Sequence, residues 1–259
     1  MSDFGTIDAF VARSRTITDI TELHALIGDV TREMGFDYFS VTQMDIARPA
    51  GERAIIGISN YPRAWIEEMI RRNLVPVDPT LQAGRLTPTG FRWDELDRLI
   101  RVDAAHRDVM ARARRGGLGD GFSVPSNVLG ELPALTSFAV RAGRALPENR
   151  LTMAQLAGTF AYDAARRLHL ANPGALAPVR LTPRQLDVTL QIARGKTDWE
   201  IARILGLSEE TVTEHVNAAR AKYGVARRSQ LVLRAIQDGH FSIAEALGGT
   251  AVPTRTVAA

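Results

Sequence analysis

The stretch from Leu181 to Ile236 leaves the chain the least freedom. It holds four short patterns of helical period, and a cap signal precedes each of the first three. Thr182, Pro183 and Gln185 form a capping box with Pro at the first helical position. Thr197 and Glu200 form a second box. Ser208 is an N-cap, with Glu209 and Glu210 in the first turn, where the helix dipole favours negative charge. Between the second and third patterns the chain turns at Leu205-Gly206-Leu207, and glycine suits a left-handed corner. Helix, tight glycine turn and helix make a helix-turn-helix. An all-α, four-helix unit is expected over residues 181–240.

The residues of this unit resemble, in order, the DNA-binding domain of the LuxR family of transcription regulators. The matching positions are Leu181-Thr182-Pro183-Arg184, Gly195-Lys196-Thr197, Glu200-Ile201-Ala202, Leu205, Ser208, Thr211-Val212, His215, Lys222, Gly224-Val225 and Arg228. The resemblance implies that the third helix, Glu209 to about Tyr223, enters the major groove of double-stranded DNA. Thr211, Thr213, Glu214, Asn217 and Arg220 are expected on its outer side, and Val212 and Val216 toward the core. Lys196 and Thr197, and Arg227 and Arg228, are expected at phosphates. From Leu181 to Ile236 there are nine Lys/Arg against six Asp/Glu, an excess equal to the net +3 of the whole chain. That is modest for a nucleic-acid domain, and Thr213 and Asn217 stand where the family often has basic residues. Weak binding by one copy is therefore expected, with a homodimer on an inverted-repeat promoter site.

Composition narrows the rest. At 259 residues, 45% hydrophobic and 24% charged, the chain has room for two ordinary soluble domains. It has no Cys, so disulfides, thiol nucleophiles and Cys-ligated zinc are excluded, in keeping with a reducing cytoplasm. The opening MSDFGTIDAF lacks the basic-then-apolar form of a signal peptide, and no run approaches the ~20 apolar residues of a membrane span. A cytoplasmic protein without membrane contact is expected.

The first 170 residues read as an α+β domain. Helical spacing over Thr6–Met34 predicts two amphipathic helices broken near Thr16 and ended by Gly35. Period-two alternation predicts a strand over Tyr38–Met44, a turn at Arg48–Gly51 and a second strand over Ala54–Ser59. A helix is expected from Pro62 with Trp65, Met69 and Ile70 on its apolar face, ended by Pro76 and Pro79. A short helix then follows from Pro79, and a longer one over Trp93–Met110. Residues Arg114–Gly121 read as a glycine-rich turn without phosphate-loop spacing. Strands are expected at Phe122–Asn127 and Leu135–Ala142, and a helix over Thr152–Leu170 with Leu156, Phe160 and Leu168 inward. Helices on both faces of one antiparallel sheet, an α/β/α sandwich, fit this order. Residues 171–180, with Asn172-Pro173-Gly174 and Pro178, read as a linker. Residues 241–259 read as an extension with a helical turn or two over Ser242–Leu247 and disorder from Gly248.

One polar set stands out in this domain: Tyr61, Trp65, Asp78 and Trp93. A phenol, an indole N–H, a carboxylate and a flat ring suit a small ligand with one amide N–H and one or two carbonyls. Taken singly, each aromatic fits an ordinary core and Asp78-Pro79 an ordinary turn. Together, as Tyr61-Pro62-Arg63-Ala64-Trp65, Asp78-Pro79 and Trp93, they resemble the acyl-homoserine-lactone-binding domain of quorum-sensing LuxR-family members. The resemblance implies that Trp65 donates to the lactone carbonyl, Asp78 accepts from the amide N–H, Tyr61 donates to the acyl carbonyl and Trp93 packs on the lactone ring. Gly121, Pro125 and Gly130 match a further family pattern, which brings Thr136 to a position that often bonds the acyl carbonyl. Met69 stands where the family often has a Tyr, so an altered acyl preference or a non-lactone signal is expected. No cofactor is implied.

Two rival classes are disfavoured. A phosphorylated receiver domain would show an acidic pair after a first strand and a doubly wound alternation, and neither is present. An enzyme acting on lactones would need a nucleophile or a metal cluster. His24, His106, His169, His215 and His240 are scattered, with no His-x-His or His-Glu-x-x-His. A regulator with a vestigial cavity that binds DNA constitutively is the remaining alternative.

Overall fold

The computed structural model describes residues 3–44, 54–128, 131–171 and 179–248. These fall into two compact units that divide between residues 171 and 179, with Glu131 grouped with the second. The expected turn at Arg48–Gly51, Gly130, the linker centre and the chain after Gly248 lie outside the described residues.

The first unit is built on one five-stranded antiparallel sheet in the order β2-β1-β5-β4-β3. Its strands are β1 (Tyr38–Met44), β2 (Ala54–Ser59), β3 (Phe91–Arg92), β4 (Leu118–Ser126) and β5 (Ala134–Arg141). Helices α1 (Asp3–Thr16), α2 (Ile20–Glu33) and α6 (Leu151–Ala171) cover one face. Helices α3 (Arg63–Arg71), α4 (Pro79–Ala83) and α5 (Ala104–Arg115) contribute to the other, together with a 3-10 turn at Trp93–Arg98. Alternation along the strands, reset in β4 by a register shift between Leu118 and Gly121, divides their side chains between two cores. Phe39, Val41, Phe122, Val124 and Phe138 enter the first; Leu118, Leu135 and Ala139 enter the second.

Several local expectations are corrected. The expected Trp93–Met110 helix is two elements, because Asp103 and His106 form a capping box that starts α5 afresh. Helix α3 stops at Arg71 rather than at a proline. Asn73 then takes φ 54°, and Pro79 opens α4 with Asp78 as its N-cap. Ile70 is exposed. Half of the glycine-rich segment is strand: Gly119 and Gly121 lie in β4, where a Cβ on Gly121 would stand 2.5 Å from the Trp93 ring. On α6 the fully buried residues are small, among them Ala154, Ala157, Gly158 and Ala161, while Leu156, Phe160 and Leu168 are only partly buried. Gly158 lets the helix close on Val124, whose side chain a Cβ would meet at 2.8 Å. The two-residue β3 gave no periodic signal.

The second unit comprises α7 (Pro183–Ala193), α8 (Asp198–Leu205), α9 (Glu209–Tyr223), α10 (Arg228–Gln237) and the short α11 (Ile243–Ala246). All three cap signals form as hydrogen bonds: Thr182 with Gln185, Thr197 with Glu200, and Ser208 with Thr211. Gly206 takes φ 66° at the turn between α8 and α9. Val212 and Val216 join Leu181, Val188, Ile201 and Leu231 in the core.

Candidate ligand cavity and nucleic-acid face

A cavity lies between the sheet and helices α3, α4 and α5. Four separate segments deliver its polar groups. The Tyr61 N–H donates to Ser59 Oγ at 3.0 Å and holds the ring just ahead of α3, since the helix starts too late to include it. Trp65 and Met69, four apart on α3, share the face turned to the cavity. Asp78 sits where a 3-10 turn at Val75–Val77 meets α4. Trp93 follows β3 directly. The apolar wall includes Met44, Ile66, Leu81, Val109, Met110, Ala113, Leu118 and Leu135.

Thus Tyr61, Trp65, Met69, Asp78 and Trp93 all line one cavity. Thr136 does not. Its hydroxyl donates to the Gly158 carbonyl at 3.1 Å on the α6 side of the sheet, and the cavity receives Ser137 instead. The displacement by one residue follows from the period of two: a unit slip along a strand exchanges the faces. Ser40 and Thr42 also line the cavity, and sequence reasoning missed them as site residues. Their signal was present in the period-two alternation of Tyr38–Met44, which puts Tyr38, Ser40 and Thr42 on one face, but the register across to β5 was needed to extend it.

The electrostatics follow from enclosure. Burial pushes the Asp78 carboxyl pKa up, against the pull of the Thr80 hydroxyl and N–H, which donate to Oδ1 at 2.7 and 2.8 Å. Burial, then the nearby Asp78 carboxylate, raises the Tyr61 phenol, which stays a neutral donor throughout the working pH range. The Trp93 indole N–H donates to Ser123 Oγ at 2.8 Å, so that ring offers the cavity its face rather than its hydrogen. The cavity therefore combines a buried acceptor with hydroxyl donors inside an apolar shell.

On the second unit, Thr213, Glu214 and Asn217 are exposed on α9, as are Thr197 and Arg227 nearby. Thr213 donates to Asp198 Oδ2 at 3.3 Å. The other residues expected at DNA are engaged within the fold. Lys196 pairs with Glu200 at 3.2 Å, and the Thr211 hydroxyl bonds Ser208 at 2.9 Å. Arg220 folds back onto the Ala226 carbonyl and Asn217. Arg228 is turned inward, donating to Asp198 at 2.6 Å and to the Lys196 carbonyl at 3.0 Å, which ties the start of α10 to the start of α8. The partners of Arg228 come from another helix and the turn before it, so helical spacing alone could not foresee them.

Residues 19–165 match the autoinducer binding domain family, and residues 179–235 match the bacterial regulatory proteins of the luxR family. RpaR of Rhodopseudomonas palustris, an HTH-type quorum sensing-dependent transcriptional regulator, is 34% identical over 195 residues, covering 74% of this chain and 78% of its own. SolR of Ralstonia nicotianae, a transcriptional activator protein, is 30% identical over 241 residues, covering 91% of this chain and 98% of its own. The crystal structure of Escherichia coli SdiA shares the fold, with a TM-score of 0.73 over 91% of this chain and 98% of that one at 22% identity. These relatives are regulators rather than enzymes. The chain belongs to the LuxR family of bacterial transcription regulators, with an autoinducer-binding domain followed by a DNA-binding helix-turn-helix domain.

Proposed function

We propose that the chain is a quorum-sensing regulator whose cavity takes an N-acyl-homoserine lactone and whose helix-turn-helix reads an inverted-repeat promoter site as a homodimer in the cytoplasm. The observation that carries the ligand assignment is the convergence of Tyr61, Trp65, Asp78 and Ser137 on one otherwise apolar cavity. Asp78 accepts from the amide N–H, Trp65 donates to the lactone carbonyl, and Tyr61 with Ser137 donates to the acyl carbonyl. Trp93 covers the lactone ring. Met44, Met69 and Met110 receive the acyl chain with adaptable, unbranched side chains.

Thermal stabilisation by a panel of N-acyl-homoserine lactones tests the reading, because a ligand that binds only the folded state raises its stability by mass action. A shift for the wild type that is lost in Asp78→Ala is expected. No shift with any lactone, in either protein, would favour a non-lactone signal or a cavity that no longer binds one. The DNA half of the reading is tested by comparing a half-site with the full repeat; equal affinity for the two would remove the dimer.

A further inference from the structure

Antiparallel pairing brings three serines into one row across the sheet. Ser40 on β1 lies opposite Ser137 on β5, and Ser137 lies opposite Ser123 on β4. Ser40 and Ser137 line the cavity; Ser123 lies behind them, fully buried. Trp93 Nε1–H donates to Ser123 Oγ at 2.8 Å, and Ser123 Oγ is 2.7 Å from Ser137 Oγ. Tyr61 lines the same cavity as Ser137.

The direction of this chain follows from donor and acceptor chemistry. An indole nitrogen only donates, so Ser123 must accept from Trp93. The Ser123 hydrogen is itself buried and requires an acceptor. Ser137 Oγ is the acceptor in reach among the described residues. The hydrogens therefore run from Trp93 to Ser123 and from Ser123 to Ser137. The Ser137 hydrogen is left to point onward, to the cavity side of the sheet where Tyr61 also ends. Without the Trp93 hydrogen the two serines could exchange roles, and Ser137 would then turn a lone pair toward the ligand. Each bond in such a buried chain also polarises the next.

We propose that Ser123 is a positioning residue: anchored by Trp93, it orients Ser137 as a hydrogen-bond donor into the cavity, and so makes this pole select a ligand bearing a carbonyl-type acceptor. The proposal rests on the acyl-amide reading of the ligand. Ser123 touches no ligand and acts through Ser137.

The test uses the full chain, with N-hexanoyl-homoserine lactone and its thioamide counterpart, whose sulfur is a poor acceptor, titrated against the wild type, Ser123→Ala and Trp93→Phe. The wild type should prefer the oxygen ligand. Both variants should lose about tenfold in affinity for it relative to the thioamide, so that the preference collapses. Equal weakening toward both ligands would mean that Ser123 is merely structural, and would overturn the proposal. A ligand-free measurement separates this result from failure of the lactone reading. Of the three Trp indole N–H resonances, that of Trp93 should move in Ser123→Ala and, through the chain, in Ser137→Ala. A Trp93 resonance unmoved by Ser123→Ala overturns the proposal whether or not any lactone binds.

Discussion

Thr136 and Ser137 are neighbours on β5 that serve opposite faces of the sheet: Thr136 bonds the Gly158 carbonyl of α6, and Ser137 lines the cavity. Their substitutions should therefore separate stability from binding. Thr136→Val keeps the branched shape and removes one buried hydrogen bond, at a cost of ~1 kcal/mol in chemical denaturation with lactone affinity unchanged. Ser137→Ala should lower lactone affinity about tenfold, read by calorimetric titration. The reverse pattern would return the acyl carbonyl to Thr136.

Asp78 both caps α4 and faces the cavity. Asn is an equally good N-cap, so Asp78→Asn keeps the helix start while removing the buried charge. The unliganded variant should melt no lower than the wild type at pH 7, because burial opposes the charge it loses. Stabilisation by lactone should fall steeply, since an amide N–H then meets a carboxamide in place of a carboxylate. A variant that melts well below the wild type yet still responds to lactone would make Asp78 structural.

The raised pKa of Asp78 sets two pH trends of opposite sign. A carboxyl whose pKa is higher folded than unfolded binds more protons in the folded state, so its contribution to stability falls as pH rises through the window between the two values. Across that window, acidification should stabilise the wild type relative to Asp78→Asn in the absence of ligand. In the proposed binding mode the ionised form accepts from the lactone amide, so affinity should weaken as pH falls through the folded pKa. Melting temperatures with and without lactone, measured for both proteins against pH, check both trends; parallel curves would remove Asp78 from the site.

Arg227 is exposed, while Arg228 is tied to Asp198 and the Lys196 carbonyl. Arg227→Ala should leave stability within about 0.5 kcal/mol and reduce the salt slope of DNA binding by about one unit for each phosphate it no longer neutralises. Arg228→Ala leaves Asp198 without its cation at the junction of α8 and α10, so it should lower the melting temperature of the second unit first. A smaller salt slope with unchanged stability in Arg228→Ala would show that the residue reaches phosphate.

The DNA-binding unit was largely legible because its signals are local. Thr182, Thr197 and Ser208 close hydrogen bonds to residues three positions on, and Gly206 adopts its left-handed corner within a single turn. In the first unit, Tyr61, Trp65, Asp78 and Trp93 stood out by residue type, and the period-two pattern of β1 named the face of Ser40 and Thr42. What lay beyond local spacing was pairing between distant segments. Which of Thr136 and Ser137 meets the cavity depends on the register of β5 against β1 and β4, and a shift of one residue reverses it. The inward turn of Arg228 depends on Asp198, thirty positions away. Most elements, the caps of the second unit and the chemistry offered to a ligand could be read from the chain, because they follow from backbone groups and side chains within a few residues. Which hydroxyl faces the cavity, and which arginine is tied inward, emerged from the packed fold, because sheet register and helix packing are set by burial summed over the whole core.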